Sequence, residues 1–256
     1  RKQFFYGVLA LGWRNSARHW KAYQTYYITM AALATPLVVS VHSIVGLDFA
    51  ASLMPAWQEP IFPPYFVVGA MFSGFAMVVL LAALVRWGLR LEAVITIRHF
   101  DVMAKIMLVA AWIMTLSYCT EWFSAWYGGR PVDRDLVVYE FTGTYGALYW
   151  AMLFCNCVAP QAFWLPRVRR NIAWVVAVGI AINIGMWLER ILIVWNTLAH
   201  AYVPSMWHVF YPTMWDWLLL VGSLGFFAFL YLLFVRIFPA VSMHELRHLQ
   251  HEEQAA

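Results

Sequence analysis

His42, Glu121, Glu189 and Arg190 are imidazole, carboxylate and guanidinium groups placed toward one end of stretches otherwise apolar enough to cross a bilayer. A bilayer interior tolerates such groups only where protein or water surrounds them, so they mark sites and relays rather than lipid-facing surface. An imidazole exchanges protons near neutrality, and a carboxylate shielded from water can hold a proton. Together they suit proton or redox chemistry more than passive anchoring.

The elements that must hold these groups are transmembrane helices. Of 256 residues, 63% are hydrophobic and 12% charged, a balance foreign to ordinary soluble domains. A spanning helix needs about 20 mainly apolar residues, and six segments qualify: 26–47, 65–87, 102–126, 144–164, 172–195 and 215–238. Trp and Tyr close many of them, as in an interfacial belt. The expected fold is an all-α polytopic transmembrane helix bundle, with 1–25 a cytoplasmic segment, 26–238 the membrane domain and 239–256 a cytoplasmic tail. The apolar run 4–13 is too short to span, and the first residue is Arg1, so further helices are expected upstream. No charged head, short apolar core and small-residue cleavage site occur together, so insertion is expected through the helices themselves.

The formal charge of +4 comes from short clusters between apolar runs, a topology signal rather than a nucleic-acid groove. Arg14, Arg18 and Lys21 precede the first span; Arg86, Arg90 and Arg98 follow the second; Arg167, Arg169 and Arg170 follow the fourth; Arg236 and Arg247 close the chain. The alternate loops carry no Lys or Arg, or carry Arg130 and Arg134 offset by Asp133 and Asp135. The positive-inside rule then places both tails in the cytoplasm. The opposite loops are stiffened by Pro55, Pro63, Pro64 and Pro204 and bear Trp57, Tyr65 and Trp207, which suits a docking face or interfacial anchoring equally.

In depth, His42, Asp48, Glu121, Glu189, Arg190 and Asp216 fall at the outer face. Arg98, His99, Asp101 and Lys105 fall at the inner one, where Asp101 and Lys105, four apart, can pair. Those inner groups read either as a helix-start carboxylate with a snorkelling lysine or as the mouth of a proton path. Between the layers lie only neutral polar groups, among them Thr35, Ser73, Thr115, Ser117, Asn156, Asn183 and Ser223, which could conduct protons through water or bond their own or neighbouring helices. Glu189 and Arg190, adjacent on one helix, are expected to find different partners.

Oxidising a quinol releases two protons and two electrons, and His42 with Asp48, Glu121 or Glu189 supplies the proton acceptors. The electrons need a carrier that this chain lacks: Cys119, Cys155 and Cys157 are too few for an iron–sulfur cluster, and only His42 lies well inside a span where a haem would want axial ligands. No metal or haem is expected on the chain, and electrons are expected to pass to another subunit.

Several ordered strings carry a resemblance: Val41-His42-Ser43-Ile44-Val45, Asp48-Phe49-Ala50, Ile61-Phe62-Pro63-Pro64-Tyr65-Phe66-Val67, Phe72-Ser73-Gly74-Phe75-Ala76-Met77, Asn183-Ile184-Gly185-Met186-Trp187-Leu188-Glu189-Arg190 and Tyr211-Pro212-Thr213-Met214-Trp215-Asp216, with Arg98-His99, Ala104-Lys105, Cys155-Asn156 and Pro160-Gln161. Together these resemble the membrane subunits of the NrfD/polysulfide-reductase family, most closely the ActC and ActF subunits of bacterial alternative complex III. The resemblance implies a subunit of the bacterial inner membrane in a quinol oxidoreductase delivering electrons to cytochrome c or a cupredoxin, not catalytic alone. It implies menaquinol or ubiquinol as substrate, and a periplasmic iron–sulfur subunit, a homologous NrfD-like membrane subunit and c-type haem subunits as partners. On it, His42, Asp48, Glu121 and Glu189 would be catalytic, His42, Tyr65, Ser73 and Arg190 would bind quinol near the periplasmic face, and His99, Asp101, Lys105 and Asp216 would line a proton path. The alternative is a homologous proton-conducting or anchoring subunit without its own quinol site. Two positions depart from the pattern: Gln58-Glu59 follow Trp57 where a histidine is expected, and Asp101 replaces a glutamate.

Overall fold

A computed structural model describes residues 2–54, 57, 59–200 and 203–238. Gln58 and the 239–256 tail lie outside the described residues. The helices are α1 (Lys2–Leu9), α2 (Ala17–Ala50), α3 (Phe62–Gly88), α4 (Ile97–Tyr127), α5 (Pro131–Thr142), α6 (Gly146–Leu153), α7 (Pro166–Arg169), α8 (Ile172–Ala199) and α9 (Met214–Ile237), and no strand occurs among the described residues. Five of them, α2, α3, α4, α8 and α9, are long and apolar enough to cross a membrane. The fold is a polytopic transmembrane helix bundle.

The fourth expected span, 144–164, is corrected: it is helical from 146 to 164 but is not one α-helix. After α6 comes a π turn, Phe154–Val158, and then a 3-10 stretch, Ala159–Trp164. Pro160 has no N–H to donate to the carbonyl four residues back, so the α ladder cannot run through it. The connection at 127–143, read from sequence as a loop, contains α5. Pro131 presets its first turn and Asp133 sits at its positive end.

The core sits where α3, α4, α8 and the composite α6 segment meet, around Phe72, Val79, Phe100, Met107, Met114, Phe163, Val175 and Ile182. Two glycines permit close approach. A Cβ on Gly46 of α2 would lie 2.7 Å from Cα of Pro63, and one on Gly185 of α8 would lie 2.7 Å from Cβ of Cys155 in the π turn. α9 touches the body lightly, through Trp217 beside Trp187 (ring centroids 6.4 Å apart) and the Tyr231 hydroxyl near the Leu81 carbonyl. No described side chain of α9 is buried, which an apolar helix tolerates in lipid.

Candidate functional site

An open groove of about 340 Å³ lies between α2, α3 and α8, lined by His42, Phe66, Gly69, Ala70, Ser73, Asn183, Met186, Trp187 and Arg190. It brings together laterally three residues that the sequence aligned only in depth or by resemblance: His42, Ser73 and Arg190. The His42 ring donates from Nδ1 to the Val38 carbonyl at 2.8 Å, because a carbonyl can only accept. In the neutral ring this leaves Nε2 as a proton acceptor. Ser73 and Asn183 donate back to their own helix, to the carbonyls of Gly69 and Gly179, both at 2.9 Å.

Behind Arg190 is a buried polar knot. Glu189 accepts a short hydrogen bond from the Tyr118 hydroxyl and a longer one, 3.3 Å, from Nδ2 of Asn156, which also donates to Tyr118 at 2.9 Å. Arg190 Nη2 lies 3.2 Å from Glu189 Oε1, so the two adjacent residues pair, contrary to the expectation that each would find another partner. The long arginine side chain folds back along the helix, with its guanidinium 4.1 Å from the Phe66 ring centroid and 5.7 Å from that of Tyr65. Stacking on these faces holds the cation between groove and knot. Tyr65 is buried beneath Arg190 rather than lining the groove.

Glu121, three residues and so nearly one turn beyond Tyr118, faces a second pocket. This enclosure of about 10 Å³ is lined by Glu59, Glu121, Ala125, Asp133, Leu136, Val137 and Glu140. Burial, then the neighbouring Asp133, pushes the Glu59 carboxyl up to about 7 against the pull of Arg130. Burial raises Glu140 to about 7 against the opposing pull of the neighbouring Asn196 and Tyr149 side chains. Trp57 is fixed nearby: its indole N–H reaches the Thr197 hydroxyl at 2.9 Å and the Ile193 carbonyl at 3.2 Å, and its ring packs on Phe49.

Sequence reasoning missed Glu59 and Glu140 because both belong to segments read as loops. The signal available was the spacing Asp133, Leu136, Val137, Glu140, one face of a helix opened by Pro131. Tyr118 carried no flag, since a tyrosine in a span reads as packing.

The remaining predicted residues are placed apart from the groove. Asp101 pairs with Lys105 at 2.6 Å, as its spacing allows, and also with Arg169 Nε at 2.9 Å, while Arg169 Nη1 donates to the Phe163 carbonyl. His99 accepts from the Thr96 amide through Nδ1 at 3.1 Å and closes the N-terminus of α4. Asp216 does the same for α9, accepting from the Thr213 amide at 2.7 Å. Asp48 is exposed at the end of α2. Thr35, Thr115, Ser117 and Ser223 each donate to a carbonyl of their own helix, so Asn156 is the neutral group of that set that bridges helices.

The family model for polysulphide reductase, NrfD, matches residues 6–204. The chain belongs to the NrfD family. The match takes in the groove, the buried knot and the acidic pocket together, and it leaves α9 outside. NrfD proteins are membrane subunits of quinol-linked redox complexes; they work with iron–sulfur subunits and are not catalytic alone. No curated protein matches the chain.

Proposed function

We propose that this NrfD subunit binds a quinol in the α2–α3–α8 groove and oxidises it, with electrons leaving to an iron–sulfur subunit. One observation carries the reading: His42, Ser73, Asn183 and Arg190 converge on a single open groove beside a buried carboxylate. Few convergent polar groups on a mostly apolar wall are the usual make-up of a small-molecule site. In the reaction QH2 becomes Q. Nε2 of His42 takes one hydroxyl proton, the Glu189 knot behind Arg190 takes the other, and two electrons pass to the partner's cluster. Arg190 orients a ring oxygen and offers its neighbour's carboxylate a counter-charge.

Menaquinol and ubiquinol both fit this chemistry. The finer reading is an ActC- or ActF-like subunit of alternative complex III in the bacterial inner membrane, with the groove near the periplasmic face. Its tails are then cytoplasmic, a homologous membrane subunit and c-type haem subunits are its neighbours, and cytochrome c or a cupredoxin is the final acceptor. Asp48 and Asp216 are assigned to proton exit on that face, with oxidation coupled to proton translocation, while the Asp101–Lys105 pair, closed by Arg169, serves to hold α4 against α7.

Photo-crosslinking of a quinone analogue in the purified complex tests the site. Saturable labelling at His42, Ser73 or Arg190 is expected, and labelling confined to another subunit would leave this chain a conduit or an anchor. His42→Ala is expected to slow quinol oxidation by about 100-fold or more, the usual worth of a positioned base, with the complex still assembled. Wild-type turnover would remove His42 from the chemistry.

A further inference from the structure

Buried side-chain atoms without hydrogen-bond partners are rare in folded proteins, and each calls for a reason. Among the described residues there are six, and they fall in two groups. Arg190 Nη1, Asn156 Oδ1 and Glu189 Oε1, which meets Arg190 as an ion pair without a hydrogen bond, lie behind the groove, while Glu140 Oε2 lies at the acidic pocket and both side-chain polar atoms of Asn196 lie next to Glu140. Glu140 is 9% exposed and Asn196 2%. Glu140 lines the pocket, whose volume of about 10 Å³ is that of one water-sized probe. Glu121 connects the groups: it lines the pocket with Glu59 and Glu140, and it sits nearly one helical turn along α4 from Tyr118, whose hydroxyl bonds Glu189.

We propose that Glu121 and the Glu59–Glu140 pocket form a water-assisted proton-release relay that takes protons from the Glu189 knot and delivers them beside Asp133. The steps balance as simple exchanges. Glu189 carboxylic acid returns to carboxylate as Glu121 gains the proton; Glu121 returns as a pocket water passes the proton to Glu140 or Glu59; and bulk water at Asp133 receives it.

The geometry favours an excess proton over a metal ion. No group of three or more His, Cys, Asp or Glu among the described residues is arranged to hold a metal. Like-charged carboxylates in one enclosure cannot all ionise, so one retains a proton. The groups facing Glu140 come from every element around it: Glu121 from α4, Tyr149 from α6, Asn196 from α8, Glu59 from the segment before α3, and Asp133 on α5 itself, which ion-pairs with Arg130 at 2.6 Å. Tyr149 is further tied down by the Trp122 indole at 2.9 Å.

The relay rests on the quinol reading for its supply of protons, so the test keeps the two apart. In the intact complex, infrared difference spectroscopy across a pH titration reads the protonated carboxyl band at equilibrium, with no turnover. Stopped-flow proton release then reads the relay, and quinone-analogue binding to the wild type reads the groove. A carboxyl titrating near neutrality is expected in the wild type and lost in Glu140→Gln. Proton release should slow by about tenfold or more in that variant, with analogue affinity unchanged and Glu140→Asp partly restoring the rate. A wild type with no such band overturns the proton-holding pocket. A band lost in Glu140→Gln with release unchanged overturns the relay. Failure of the wild-type chain to bind the analogue overturns the quinol reading, and is recognised separately because the band is read without quinol.

Discussion

At one end of the bundle Asp101 meets Lys105 at 2.6 Å and Arg169 at 2.9 Å, and the arginine spends a further donor on the Phe163 carbonyl. At the other end Glu59, Glu121, Asp133 and Glu140 line one pocket, Arg130 pairs with Asp133, and buried oxygens and nitrogens stay without hydrogen-bond partners. The first arrangement is neutralised and closed, and resembles a clamp between α4 and α7. The second is over-supplied with one charge and under-supplied with hydrogen bonds, a combination that costs stability and is kept where protons must come and go. Charged residues in a membrane protein are thus informative less by their presence than by whether their partners complete them.

Four measurements bear on that contrast. Glu189→Ala is expected to have the largest effect. It leaves Tyr118 and Asn156 buried without their acceptor, at about 1–3 kcal/mol each, and takes the ion pair from Arg190. Thermal unfolding of the detergent-solubilised complex reads this, and an unchanged midpoint would show that the knot is not a structural hub. Gly185→Ala should follow, at about 1–3 kcal/mol of overpacking, because its Cβ would meet Cys155 and Asn156 in the π turn.

The third is a pH effect at the acidic end. Glu59 and Glu140 are raised from 4.5 to about 7 in the folded protein. Between roughly pH 4.5 and 7 the folded state therefore binds more protons than the unfolded one, and stability falls as the pH rises through that window. Glu59→Gln combined with Glu140→Gln should flatten this fall; a slope that persists would place its origin elsewhere. The smallest effect belongs to the basic end. Lys105→Ala removes a half-exposed partner while Arg169 stays on Asp101, so a loss of about 0.2–1 kcal/mol is expected. A loss as large as that of Glu189→Ala would erase the distinction between the ends.

Long-range apolar patterning made the membrane bundle legible, since each of α2, α3, α4, α8 and α9 covers a segment read as a span. The 144–164 segment looked equivalent because its composition is equally apolar; the change of helix type at Pro160 is a matter of hydrogen-bond partners, which hydropathy does not register. His42, Ser73 and Arg190 were chosen individually, but their meeting depends on α2 and α8 both packing on α3, a tertiary fact. Glu59 and Glu140 stayed hidden because a short helix of low hydropathy and a turn after Trp57 carry them, and only the folded chain turns those side chains toward Glu121.

A π turn contains one residue more than the α-helical turn it replaces, and an α-helix advances by about 100° per residue. Everything after Phe154–Val158 is therefore rotated by about that angle relative to an uninterrupted helix. Pro160 and Phe163 point into the core and Trp164 outward in this offset phase. Removing one residue from the turn would shorten the segment yet misdirect all that follows, so it would make a worse wall for the bundle.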